Sequence, residues 1–190
     1  VIFNIRGTSG SGKTHLVRRI MDSYGGRTVY REAGRRQPIG YTFARGERGR
    51  GLAIIGHYET ACGGCDTIPK MERIFELVKA SAEQGYDVIF EGLLISADVQ
   101  RHVDLNSWCL NHGQELQVIS LTTDLQTCLD SVNARRKARN PDLPPVKEKN
   151  TISKFNGVRK SLERLRANQV VVHELTRDQA LDHIRAELDL

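Results

Sequence analysis

The 190-residue sequence contains no apolar run approaching the roughly 18 residues that a membrane-spanning helix needs. It has no internal repeats and no low-complexity tails, which removes solenoids and disordered linkers from consideration. Cysteine is scarce. The four, Cys62, Cys65, Cys109 and Cys128, supply a single C-x-x-C pair, whereas a structural zinc site wants a second pair or histidines at ligand spacing. His57 is near but not at that spacing, so Cys62 and Cys65 read as thiols of a tight loop, reduced as in the cytosol. Acidic residues are the minority charge: 23 Asp and Glu against 28 Lys and Arg leave a formal charge of +5. A protein that handles only small free ligands needs no such excess, and the balance suits a polyanionic partner such as nucleic acid.

What is present starts at the first residues. Val1-Ile2-Phe3-Asn4-Ile5 is an apolar, β-rich run, read as a buried strand and not as a secretory signal. It feeds Gly7-Thr8-Ser9-Gly10-Ser11-Gly12-Lys13-Thr14, a full match to G-x-x-x-x-G-K-[ST]. Leu16, Val17, Ile20 and Met21 follow at helical spacing. Strand, glycine-rich turn and helix form the context of a phosphate-binding loop. Backbone N–H groups in such a loop converge on phosphate oxygens, and the helix N-terminus adds its partial positive charge. Lys13 is expected to reach the β- and γ-phosphates of ATP, and Thr14 to hold Mg²⁺. The motif specifies nucleotide binding and is silent about the acceptor.

Further along, Thr28–Arg31 reads as a short strand, and residues 31–50 as a basic arm with Arg31, Arg35, Arg36, Arg45, Arg48 and Arg50 around Tyr41 and Phe43. Such an arm is either a nucleic-acid contact, with Arg45 among its candidate substrate-binding residues, or a solvated hairpin. Residues 51–56 form a buried strand, which delivers His57, Tyr58 and the loop through Asp66 to the end of the sheet where ligands collect. His57, Tyr58 and Asp66 are therefore candidate substrate-binding residues. Residues 71–84 read as a helix closed by Gly85. Val88-Ile89-Phe90-Glu91 ends a strand in an acid, placing Glu91 to bind Mg²⁺ or to take a proton from an acceptor hydroxyl. Asp66 is the other candidate base. Residues 98–111 read as a helix, 116–121 as a strand, and Asp124 as the cap of a helix that runs into Arg135, Arg136 and Arg139 before Pro141, Pro144 and Pro145. That basic end and the loop to about residue 150 are expected to form a lid, with Arg135 and Arg139 as candidates to neutralise charge on a transferred phosphoryl group. A helix over 152–167, a strand over 169–173 and a helix over 177–190 complete the chain. Alternating strands and helices indicate a three-layer α/β fold with a parallel sheet of about five strands, in one domain over 1–190.

Absences narrow the class. There is no N-K-x-D for guanine, as switch GTPases carry, and Glu91 is followed by Gly92, not by the second acid of a helicase-type D-E pair. No D-R-[YFH] follows the 88–91 strand, which argues against a free thymidylate kinase. The order of loop, strand-end acid and arginine-rich lid resembles the small P-loop kinases. Within that group, Ile55-Gly56-His57-Tyr58-Glu59-Thr60, Cys62-Gly63-Gly64-Cys65-Asp66-Thr67-Ile68 and Phe90-Glu91-Gly92-Leu93-Leu94 are similar to the phage 5-hydroxymethyluracil DNA kinases of thymidine hypermodification. The resemblance implies transfer of the γ-phosphate of ATP to the hydroxymethyl group of a modified base in DNA, in the host cytoplasm. A base within a duplex would have to be flipped out to be reached. A kinase of free nucleosides or nucleotides and an ATP-dependent nucleic-acid-binding module are the alternatives.

Overall fold

The computed structural model describes residues 1–44 and 50–189, so Arg45 lies outside the described residues. Among the described residues the sheet has seven strands in the order β2-β3-β4-β5-β1-β6-β7. Five run parallel: β1 (Ile2–Arg6), β4 (Leu52–Ile55), β5 (Asp87–Glu91), β6 (Leu116–Leu121) and β7 (Val171–Leu175). The other two, β2 (Arg27–Tyr30) and β3 (Gly40–Phe43), form an antiparallel hairpin added beside β4. The described part of the basic arm, residues 31–44 and 50, is thus mainly the β2–β3 connection and β3 itself; Arg48, like Arg45, lies outside the described residues.

Period-two alternation sorts the strand side chains onto two faces. Ile2, Ala53, Ile55, Val88, Phe90, Leu116 and Val118 pack beneath α2 (Met71–Glu83), α4 (Gln100–Asn111) and α6 (Glu148–Ala167). Phe3, Ile5, Tyr41, Phe43, Ile54, Ile89 and Ile119 pack beneath α1 (Lys13–Met21) and α7 (Arg177–Glu187). The result is helices on both faces of one sheet, the three-layer arrangement expected.

Besides the added strand β3, three elements depart from the sequence-based expectation. A short helix, α3 (Leu93–Ala97), follows β5 directly. The strand expected at 169–173 is displaced to 171–175, because Gln169 turns the chain with φ +59°, a conformation that breaks strand geometry. Residues 148–151, too polar to suggest a packed helix, are the first turn of α6, which precedes the apolar stripe. α5 (Leu125–Arg139) begins as expected, with the Asp124 side chain accepting from Thr127 N–H at 2.9 Å.

A buried arginine ties the phosphate-loop strand to the helical layer. Arg6, last residue of β1, is fully buried. Its Nε donates to Asn4 Oδ1 at 2.8 Å, Nη1 to the Ser96 carbonyl at 3.1 Å and Ser161 Oγ at 2.9 Å, and Nη2 to the Asp98 carbonyl at 2.7 Å. Burial pulls its pKa down to about 9, against the opposing pull of Asp98, so it stays charged at neutral pH. Ser96 Oγ in turn accepts from Gly7 N–H at 3.3 Å, which links this network to the first residue of the loop. Arg6→Ala strands several buried acceptors and is expected to destabilise the protein by about 3 kcal/mol or more. Thermal unfolding checks this, with an expected drop in Tm of at least about 6 °C.

Candidate active site

The parallel strands β1 and β5 are in register with Ile5 beside Glu91, so the acid at the end of β5 sits next to the start of the phosphate loop. α1 opens at Lys13, and its N-cap, Gly12, offers no side-chain hydrogen bond to the first turn. The free N–H groups and dipole of that turn are left for an anion. Gly10 is required where it stands. Its φ is +86°, and a Cβ there would lie 2.3 Å from the Cys128 carbonyl oxygen of α5.

A cleft of about 660 Å³ lies over the loop, within the usual range for small-ligand sites. Ser9 to Thr14 form its floor, Glu91 and Asp66 lie on one side, and Thr127, Ser131 and Arg135 line it from α5. Lys13 is buried, and its Nζ donates to the carbonyls of Gly7 at 2.7 Å and Thr8 at 3.2 Å. Burial lowers its pKa, against the pull of Glu91 and Asp66. Glu91 is 2 % exposed, and its Oε1 accepts from Thr14 Oγ1 at 2.9 Å. Burial pushes this carboxyl up to about 7, against the stabilising charge of Lys13 and the Thr14 hydrogen bond. A carboxyl poised there can take or give a proton near neutral pH.

The loop after β4 comes close to both Thr14 and Glu91. His57 and Gly64 exchange backbone hydrogen bonds, His57 N–H to Gly64 at 3.1 Å and Gly64 N–H to His57 at 2.8 Å. At Gly64, φ is +91°, and a Cβ would meet Glu91 backbone O and Oε1, each at 2.7 Å. The double glycine is therefore what lets this loop pass against the acid. Asp66 lines the cleft, but both its oxygens accept from Leu93 N–H at 2.9 Å, and Oδ1 also accepts from Leu94 N–H at 3.3 Å. It caps α3, a helix the sequence did not announce.

The other sequence candidates divide. Arg135 lines the cleft. Arg139, last in α5 and exposed, does not; Arg136 donates to the Pro144 carbonyl at 3.2 Å. His57 is 1 % exposed behind the loop, with Nε2 at 3.1 Å from Thr60 Oγ1, and burial lowers its pKa. Tyr58 is buried and lines a second cavity. Cys62 and Cys65 are both free thiols; Cys65 is fully buried and donates to the Ile55 carbonyl at 3.3 Å. Two lining arginines were not singled out from sequence. Arg18 stands four residues after Thr14, one turn along the same face of α1, and that spacing could have found it. Arg177, at the start of α7, lies over Gly12, its Cδ 3.4 Å from a Cβ built there. Nothing local marks it.

Comparison with known proteins adds the family. Residues 67–183, more than half of the chain, match the family described as Zeta toxin. A 5-hmdU DNA kinase of Pseudomonas phage PaMx11 is 46% identical over 188 residues, covering 99% of this chain and 97% of the relative. A 5-hmdU DNA kinase of Pseudomonas phage M6 is 28% identical, covering 98% of this chain and 96% of the relative. Among solved structures, a chain from the PezAT chromosomal toxin–antitoxin system of Streptococcus pneumoniae shares the fold, with a TM-score of 0.56 and 19% identity over 99% of this chain and 77% of that one.

The raised Glu91 carboxyl has a consequence for stability. Between its unfolded value near 4.5 and about 7, the native state binds more protons than the unfolded state, so this group's contribution to stability falls as pH rises through that window. Glu91→Gln removes the ionisation and retains an acceptor for Thr14. It is expected to raise Tm by roughly 3 °C at pH 8 and by clearly less at pH 5. Melting curves at the two pH values check the sign. Gly64→Ala is expected to lower kcat at least about tenfold by displacing Glu91, with the nucleotide Kd within about twofold of wild type.

Proposed function

The chain belongs to the Zeta toxin family and to the family of the phage 5-hmdU DNA kinases, and on that premise we propose that it transfers the γ-phosphate of ATP to the 5-hydroxymethyl group of 5-hydroxymethyluracil in DNA. The observation that carries this reading is the pairing of Glu91 with Thr14 beside the phosphate loop, with the loop after β4 packed on the same acid.

The acceptor hydroxyl gives its proton to Glu91 as its oxygen bonds to the γ-phosphorus. The bond from that phosphorus to the β,γ-bridging oxygen breaks, and ADP leaves. Glu91 is favoured over Asp66 as the base, since both Asp66 oxygens are engaged by the N–H groups that open α3. Lys13 binds the β- and γ-phosphates, and Arg135 offsets charge on the transferred group. The Thr14 hydroxyl would hold Mg²⁺, which takes one or two protein oxygens along with phosphate and water rather than an all-protein cage; Glu91 serves as the base and not as a direct ligand, since a carboxylate on the ion would stay ionised. When bound there it would supply charge neutralisation at the phosphates. The charge of +5 and the arginines of the β2–β3 hairpin support a polymeric acceptor.

The test is transfer from γ-labelled ATP with Mg²⁺, offered DNA containing 5-hydroxymethyluracil, ordinary DNA, and the matching free nucleoside and monophosphate. Label is expected on the modified DNA. Label on the monomers alone would make this a metabolic kinase and contradict the reading. Lys13→Ala and Glu91→Gln are each expected to lower kcat/KM on modified DNA by about 100-fold or more.

A further inference from the structure

A second cavity, of about 480 Å³, opens between α1 and the β2–β3 hairpin. Its wall is aromatic and cationic. The hairpin register sets Arg27 directly opposite Phe43 and Val29 opposite Tyr41, so these four share the face turned toward α1. Arg27 Cζ lies 5.6 Å from the centre of the Tyr41 ring, and the Tyr24 and Phe43 rings are 5.3 Å apart. Among the described residues, Asp22 is the one acid on the wall. Gly25 and Gly26, at the turn into β2, leave open space where side chains would stand.

This cavity adjoins the active-site cleft. Arg18 lines both. Its guanidinium donates to the Tyr58 carbonyl at 3.1 and 2.9 Å, and also to the Thr60 carbonyl, so one side chain forms a shared wall between the two spaces. Tyr58 lines the second cavity and not the cleft.

We propose that this groove receives the nucleotide next to the target on the same DNA strand. The inference rests on the DNA-kinase reading above. A polymer presented to the cleft brings a neighbouring base and phosphate with it, and the groove beginning at Arg18 is where they go. Tyr24 offers a face on which any base can stack, and Arg27 a cation for the adjoining phosphate. Stacking on an aromatic side chain tolerates every base, so the groove makes the enzyme selective for polymer over monomer without reading flanking sequence.

The experiment uses single-stranded oligonucleotides carrying one 5-hydroxymethyluracil, either complete or lacking the base on its 5′ or 3′ side. Tyr24→Leu keeps the apolar packing and removes the aromatic face. With wild-type protein, loss of the neighbouring base on one side is expected to lower kcat/KM about tenfold. Tyr24→Leu is expected to lower it similarly on the complete strand and to add nothing further on that abasic strand. Independently, Arg27→Gln, at an exposed position, is expected to reduce the slope of log Kd against log salt by about 0.7, the value of one phosphate contact on a single strand. Multiplicative effects of Tyr24→Leu with both abasic strands, or an unchanged salt slope for Arg27→Gln, would each overturn the proposal. Failure of the wild-type protein to label the complete oligonucleotide would instead overturn the DNA-kinase reading, which separates the two claims.

Discussion

A carboxyl group held out of water beside a lysine and a threonine hydroxyl is the constraint around which this molecule is arranged. Glu91 is almost fully buried, and Thr14 satisfies one of its oxygens. An isolated carboxylate in that setting would simply take up a proton; the charge on Lys13 is what holds its pKa near neutrality. The arrangement requires β1 and β5 to be parallel neighbours in register, since only then do the phosphate loop and the acid leave the sheet side by side. It also requires a loop without a side chain at Gly64, where a Cβ would collide with the acid.

The same logic explains the polar network behind the loop. Arg6 could not be buried without its acceptors on Asn4, Ser96, Ser161 and Asp98, and those acceptors come from β1 itself, α3, the residue after α3, and α6. Ser96 then accepts from Gly7 N–H. The first residue of the phosphate loop is thus fastened to the helical layer below it. The opposite layer contributes Arg177 from the start of α7. The site is consequently held from both faces of the sheet, and rigid support of this kind is what positioning catalysis needs.

How much of this was legible depended on whether the chemistry is local in sequence. The phosphate loop was readable because its glycines, Lys13 and Thr14 must be contiguous to cradle one phosphate group. Glu91 was readable because strand ends in a parallel sheet face the ligand. Asp66 was not readable as a helix cap, since α3 is only five residues long and lies 27 residues away along the chain. The strand Gly40–Phe43 was hidden by its shortness and by the arginines and glycines around it, so a hairpin could be named as one reading of the basic arm but its strands and register could not. In α5, Thr127, Ser131 and Arg135 recur every four residues on the cleft face; Arg139 continues that spacing but lies past the end of the cleft. Choosing between the two arginines required knowing where the cleft stops, which is tertiary information.

In the function proposed above, Glu91 is held protonatable near neutral pH at the point where a proton must be removed. The most direct measurement is a titration of the Glu91 side-chain carboxyl by carbon NMR, with Glu91→Gln to assign the signal. The expected apparent pKa is about 7. A value in the ordinary glutamate range, near 4.3, would mean that Lys13 and Thr14 offset the cost of burial in full, and would contradict a carboxyl poised to exchange a proton near neutral pH.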